Sequence, residues 1–132
     1  MPDINYIGVA LAGLAGWLVG AVWYGVLGRP WMAAAGITPP DGRRQMLMGP
    51  MVLALVALLV MALMLAGLVG HMGAPTVMNG VISGALVWLG FVITTIAVNN
   101  AFQGRKPMLT VIDGGHWLAV LVVEGIVLGL IG

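Results

Sequence analysis

The sequence predicts an all-α fold, a bundle of four transmembrane helices, and three observations carry that prediction. Four long apolar runs, at about 4–27, 50–69, 77–101 and 108–131, divide the chain. Each is long enough to cross a hydrocarbon core of about 30 Å at about 1.5 Å per helical residue. Hydrophobic residues make up 61% of the chain and charged residues 7%, against about 25% charged in a soluble domain, so water is not the main solvent. Finally, all five Lys and Arg fall in two of the breaks: Arg29, Arg43 and Arg44 after the first run, Arg105 and Lys106 after the third.

With four spans those two breaks share a side, and the positive-inside rule makes it cytoplasmic. Both termini are then expected on the other face, the periplasmic one in a Gram-negative inner membrane. Four spans nearly use up the 132 residues, so residues 1–132 are expected to form a single membrane domain. The first run is expected to be retained rather than cleaved, because residues 1–5 hold no Lys or Arg and the run exceeds a signal peptide's usual apolar stretch. A net charge of +1 offers little to nucleic acid, and the absence of cysteine removes disulfides, thiolate metal sites and Cys nucleophiles. The expected surroundings are the lipid bilayer, with either a homo-oligomer or a larger membrane complex as partner.

Span one carries small residues at every fourth position, Gly8, Ala12, Gly16 and Gly20. Lipid supplies no hydrophobic drive between helices, so such stripes serve close backbone approach. Trp23 and Tyr24 sit toward the cytoplasmic end, where amphipathic rings anchor a helix. In the first loop Pro30 suits a first helical position and Gly36 a helix stop, which predicts a short interfacial helix anchored by Trp31. Thr38-Pro39-Pro40-Asp41 should then break the chain.

Span two has no side chain more polar than Met and can face lipid all round. Met51, Met61 and Met64 read as packing rather than metal ligands, since no His or Cys accompanies them. Ala62, Ala66 and Gly70 offer a second small-residue seam. Thr76, after Pro75, is expected to cap span three. That span gathers Thr94, Thr95, Asn99 and Asn100 toward its cytoplasmic end. Thr hydroxyls in lipid commonly bond back to their own helix. Trp17 and Trp88, near mid-span, read as packing residues. A faint repeat, Gly28-Arg29-Pro30 against Gly104-Arg105-Lys106-Pro107, allows spans one–two and three–four to be two parallel helical hairpins.

Span four holds Asp113, His116 and Glu124 in an otherwise apolar run. At about 100° per residue, His116 lies roughly 60° to one side of Asp113 and Glu124 about 20° to the other, so all three share a face. A charge at mid-bilayer costs about 2.5–3.5 kcal/mol on insertion scales, and such residues usually face the bundle interior. Asp113-Gly114-Gly115 is either a turn in which Asp113 caps a helix beginning near His116, or part of a longer span that holds Asp113 as an intramembrane acid. His116 is a structural imidazole or a site residue. Glu124 falls near mid-span on either reading, as a neutral packing acid or a proton acceptor, and the adjoining Gly125-x-x-x-Gly129 should seat a neighbouring helix. His71 and His116 fall at opposite ends and make no haem pair. No Ser-His-Asp order, phosphate loop or zinc motif is present.

Several short motifs recur in an order that resembles a known family. They are Trp23-Tyr24-Gly25, then Trp31-Met32 after Gly28-Arg29-Pro30, then Gly90-Phe91 and Asn99, then Gly114-Gly115-His116, then Gly125 with Leu128-Gly129. The chain is similar over essentially its whole length to a small bacterial membrane family, a domain of unknown function numbered seventeen sixty-one. The resemblance implies a four-span inner-membrane protein and brings no catalytic residues. It also implies an apolar residue in many relatives where Glu124 stands, leaving Tyr24, Asn99 and His116 as the candidates for a shared site. Those three, with Asp113 and Arg29, are expected to meet at the cytoplasmic end in one polar pocket.

The expected function is that of a non-enzymatic membrane protein without cofactor or metal: a small carrier or channel with a polar path along span four, or else an accessory subunit of a larger complex.

Overall fold

The computed structural model describes residues 4–37 and 49–132. Four helices are long and apolar enough to cross a membrane: α1 (Tyr6–Ala35), α2 (Gly49–His71), α3 (Val77–Phe102) and α4 (Pro107–Ile131). Among the described residues there is no strand. The chain is an all-α membrane protein.

Local sequence sets most of the helix ends. Asn5 caps α1, its side-chain oxygen accepting from the Gly8 N–H at 3.1 Å, and Thr76 caps α3 through the Asn79 N–H at 3.1 Å. Pro107 opens α4, where its missing N–H costs nothing. α1 and α3 both stop at a glycine in the left-handed region, Gly36 (φ 73°) and Gly104 (φ 68°). In each the residue after the glycine bonds back to close the last turn, Ile37 N–H to Met32 O at 2.8 Å and Arg105 N–H to Asn100 O at 2.9 Å.

The first loop departs from expectation. The residues from Pro30 to Ala35 are helical and do stop at Gly36, but they continue α1 instead of forming a separate interfacial helix. Pro30 removes one backbone donor, and at about 45 Å α1 outruns the hydrocarbon core, so this last stretch lies where water can serve the freed carbonyl. The Gly-Arg…Pro repeat therefore has two meanings: Gly104 to Pro107 ends one helix and starts the next, whereas Gly28-Arg29-Pro30 lies inside a helix. Arg43, Arg44 and the expected break at 38–41 lie outside the described residues.

α4 is the central helix. It packs along α1 on one side and α3 on the other and also touches α2, while α2 and α3 meet much less. Both hairpins are present, but the interfaces between them are unequal. At one end Asn5 reaches the Ile131 carbonyl at 3.4 Å. At the other, the Arg105 guanidinium donates to the Ala35 carbonyl at 3.1 Å, so the first and third loops share a side. α2 does not face outward all round: Leu58, Ala62, Leu65 and Val69 are buried. Ala62, Leu65 and Val69 join Val9, Ala12, Leu121 and Leu128 in an apolar core toward the end opposite the basic loops.

α3 contains a single π turn, Trp88–Val92, in which the Ile93 N–H bonds to the Trp88 carbonyl. The Thr94 hydroxyl donates to Gly90 O at 3.1 Å and the Thr95 hydroxyl to Phe91 O at 2.8 Å. These are the back-bonds expected of Thr in lipid, and here they serve carbonyls of the distorted turn.

Candidate functional site

The interface of α1 and α4 gathers the ionisable residues because glycines on α1 leave room for them. A Cβ placed on Gly16 would lie 3.3 Å from Glu124 Oε2, and one on Gly20 would lie 3.1 Å from His116 Nε2. The small-residue stripe of α1 thus receives side chains of α4 rather than its backbone. Gly8 and Ala12 continue the same face toward the Ile131 end, and both are buried.

Glu124 is 0% exposed and turned into the bundle. Neither of its carboxyl oxygens has a hydrogen-bond partner among the described residues, and the same holds for His116 Nδ1. Buried polar groups are nearly always paired, so two such orphans on one helix face need an explanation. His116 packs against two aromatic rings, tilted to Tyr24 at 4.9 Å and edge-on to Trp117 at 4.6 Å between ring centres.

Asp113 lies inside α4, seven residues into a helix that begins at Pro107, so the capping alternative fails. The physical reason is in the two glycines that follow. A Cβ on Gly115 would sit 2.9 Å from the Trp23 ring, and one on Gly114 would sit 2.5 Å from Ile93 Cδ1. Those glycines are slots for side chains from both neighbouring helices. Trp23 uses its slot to donate to Ile112 O at 3.0 Å, and Trp88 reaches Gly114 O at 2.7 Å from the opposite side. Asp113 accepts a 2.5 Å hydrogen bond from the Tyr24 hydroxyl, and Trp31 packs edge-on against Tyr24 at 5.7 Å.

Tyr24, Asp113 and His116 therefore meet as expected, with Glu124 deeper on the same face. Asn99 does not join them. It is exposed, and its neighbour Asn100 turns toward α4 to donate to Thr110 Oγ1 at 3.1 Å. The π turn explains the exchange, because one extra residue in a turn advances the helix phase by one position beyond it. Arg29 is also exposed. Arg105 and Lys106 occupy the α3–α4 connection.

Gly125 and Gly129 do seat a helix, and it is α3: Gly125 lies against the Gly80 backbone and Gly129 against Thr76 and Val77. Gly80 and Gly84, absent from the expected packing residues, carry the same signal in their spacing. Trp23 and Trp88 as donors to α4, and Asn100 with Thr110, leave no such mark in the sequence. Among the described residues, no three His, Asp or Glu side chains gather as a metal site.

The family model described as Protein of unknown function (DUF1761) matches residues 7–129, and the chain belongs to that family. No curated protein and no solved structure matches it.

Proposed function

We propose that this member of the DUF1761 family is a non-enzymatic carrier of a bacterial inner membrane, with both termini periplasmic, in which α4 supplies the proton-accepting groups. The observation that carries the reading is Glu124, wholly buried near mid-span with both oxygens unpaired among the described residues. Intramembrane ionisable residues are expensive and are usually tied to ion or substrate pathways. The confinement of the cations to two breaks supports a cytoplasmic assignment for the end that holds Tyr24, Asp113 and His116.

His116 and Glu124 are about 12 Å apart along the helix axis, too far for direct proton transfer, with Val120 between them. Exchange between them then needs a bridging hydrogen-bonding group such as water, and Gly16 and Gly20 put no α1 side chain in its way. The test is proton flux into liposomes of purified protein under an imposed potential. Flux that disappears in Glu124→Gln while the protein stays folded is expected; wild-type liposomes no leakier than empty ones would refute the proposal.

A second reading, a small subunit or homo-oligomer, is favoured by α3, whose outer face carries the exposed Asn99 and Phe91. Native mass spectrometry of the detergent-extracted protein distinguishes the two by the mass of the complex.

A further inference from the structure

α1 and α2 part toward the end that carries the basic loops. They are in contact where a Cβ on Gly13 would meet Leu59 at 2.5 Å, and again where one on Gly16 would meet Leu58 at 3.3 Å. Beyond that, nothing among the described residues stands within 4 Å of a Cβ built on Gly25 or Gly28. The space between the helices is a wedge of about 530 Å³, walled by Gly20 and Ala21 of α1 and Ala54 and Leu58 of α2, with His116 and Trp117 of α4 as its floor. That volume is in the range of sites for small molecules. Small residues in a membrane bundle ordinarily admit a neighbouring helix; here no helix among the described residues enters the space they leave.

The floor supplies an independent sign of a ligand. His116 is 6% exposed, and its Nε2 is the nitrogen turned toward Gly20 on the wall of the wedge, with no hydrogen bond to it among the described residues. The depth of this group decides what can pair with it. α4 has 25 residues, about 37 Å against a core of about 30 Å, so His116 lies about 10 Å inside the hydrocarbon. A phosphate or ionised carboxylate is heavily penalised at that depth, whereas a hydroxyl or carbonyl bears no charge.

We propose that the wedge binds an uncharged single-chain amphiphile drawn from the bilayer, its chain between α1 and α2 and its hydroxyl or carbonyl head hydrogen-bonded to His116. As the cargo class of the carrier it rests on the reading above, but binding is measured without any transport.

Protein in lipid nanodiscs is titrated with a dibrominated long-chain alcohol, whose bromines quench tryptophan fluorescence; Trp17 and Trp117 border the wedge. Saturable quenching at low mole fraction is expected, with a dibrominated phospholipid quenching only in proportion to its amount. Filling the wedge by Ala54→Leu, or from the facing wall by Ala21→Leu, should raise the half-saturation point about tenfold. Loss of the head-group bond in His116→Phe should raise it about fivefold. Quenching by the alcohol that merely follows mole fraction, or a half-saturation unmoved by both wedge-filling variants, overturns the proposal. Saturable binding without proton flux would leave the wedge standing and remove the carrier reading; flux without saturable binding would do the reverse.

Discussion

The two long faces of α4 use glycine in opposite ways. Toward α3, glycine meets backbone: Gly80 lies against Gly125, Gly84 against the Leu121 carbonyl, and Gly129 against Val77. Toward α1, glycine meets side chains, Gly16 beside Glu124 and Gly20 beside His116. The first face is a closed seam with no room for a functional group. The second leaves room for polar side chains and is where both orphaned groups occur. Small-residue spacing in a membrane helix therefore reports close approach without saying whether the gain is adhesion or a cavity for chemistry.

The sharpest way to break that contrast is to add one methyl group to each face. In Gly80→Ala the new Cβ would overlap the Gly125 carbonyl, and a backbone cannot step aside as a side chain can. A loss of about 3 kcal/mol is expected, at the upper end of overpacking costs, against about 1 kcal/mol for Gly16→Ala. Thermal unfolding of both variants in detergent measures the difference, and equal losses would erase the distinction between the faces.

On the α1 face, Tyr24→Phe leaves the Asp113 carboxyl without its hydroxyl donor, and a loss of about 2 kcal/mol is expected. A double-mutant cycle with Asp113→Ala should return a coupling of about 1–2 kcal/mol; a coupling near zero would mean that the contact does not form in the bilayer.

Glu124 should respond in the other direction. Replacing a buried, unpaired carboxyl by Met, similar in volume and apolar, should raise stability by about 1 kcal/mol. A thermal-shift comparison reads the sign, and a lowered midpoint would show that Glu124 has a partner that holds the helices together.

The smallest effect concerns α3. Asn100→Ala removes the bond to Thr110 and should cost about 0.6 kcal/mol, while Asn99→Ala should cost almost nothing. The reverse order in unfolding measurements would place the helix phase, and hence the π turn, in error.

Much of this site was legible from position alone. Tyr24, Asp113 and His116 lie at matching depths on helices that run antiparallel, so their meeting followed from span order. Glu124 shared a face with them by helical angle. Asn99 was expected in the pocket on depth alone, and depth does not fix a face; beyond the π turn at Trp88–Val92 it is Asn100 that turns toward α4, and no residue there announces the extra position. Asp113 was open to a capping reading because Gly114-Gly115 is also what a turn looks like. Its other use, as clearance for Trp23 and Ile93, depends on helices distant in sequence.

By itself the sequence determined that this protein lives in a membrane, where its helices begin and end to within a few residues, the far end of α1 excepted, and which end carries the cations. Those properties follow from transfer of single residues between water and hydrocarbon and from local capping, and neither needs a neighbour. Tertiary structure alone decided that α4 is the centre, that its two glycine faces differ, and that α1 and α2 part above Leu58 to leave a wedge over His116. In lipid every helix is apolar outside as well as inside, so hydrophobicity cannot rank partners. Shape decides instead, and shape exists only once two helices are side by side.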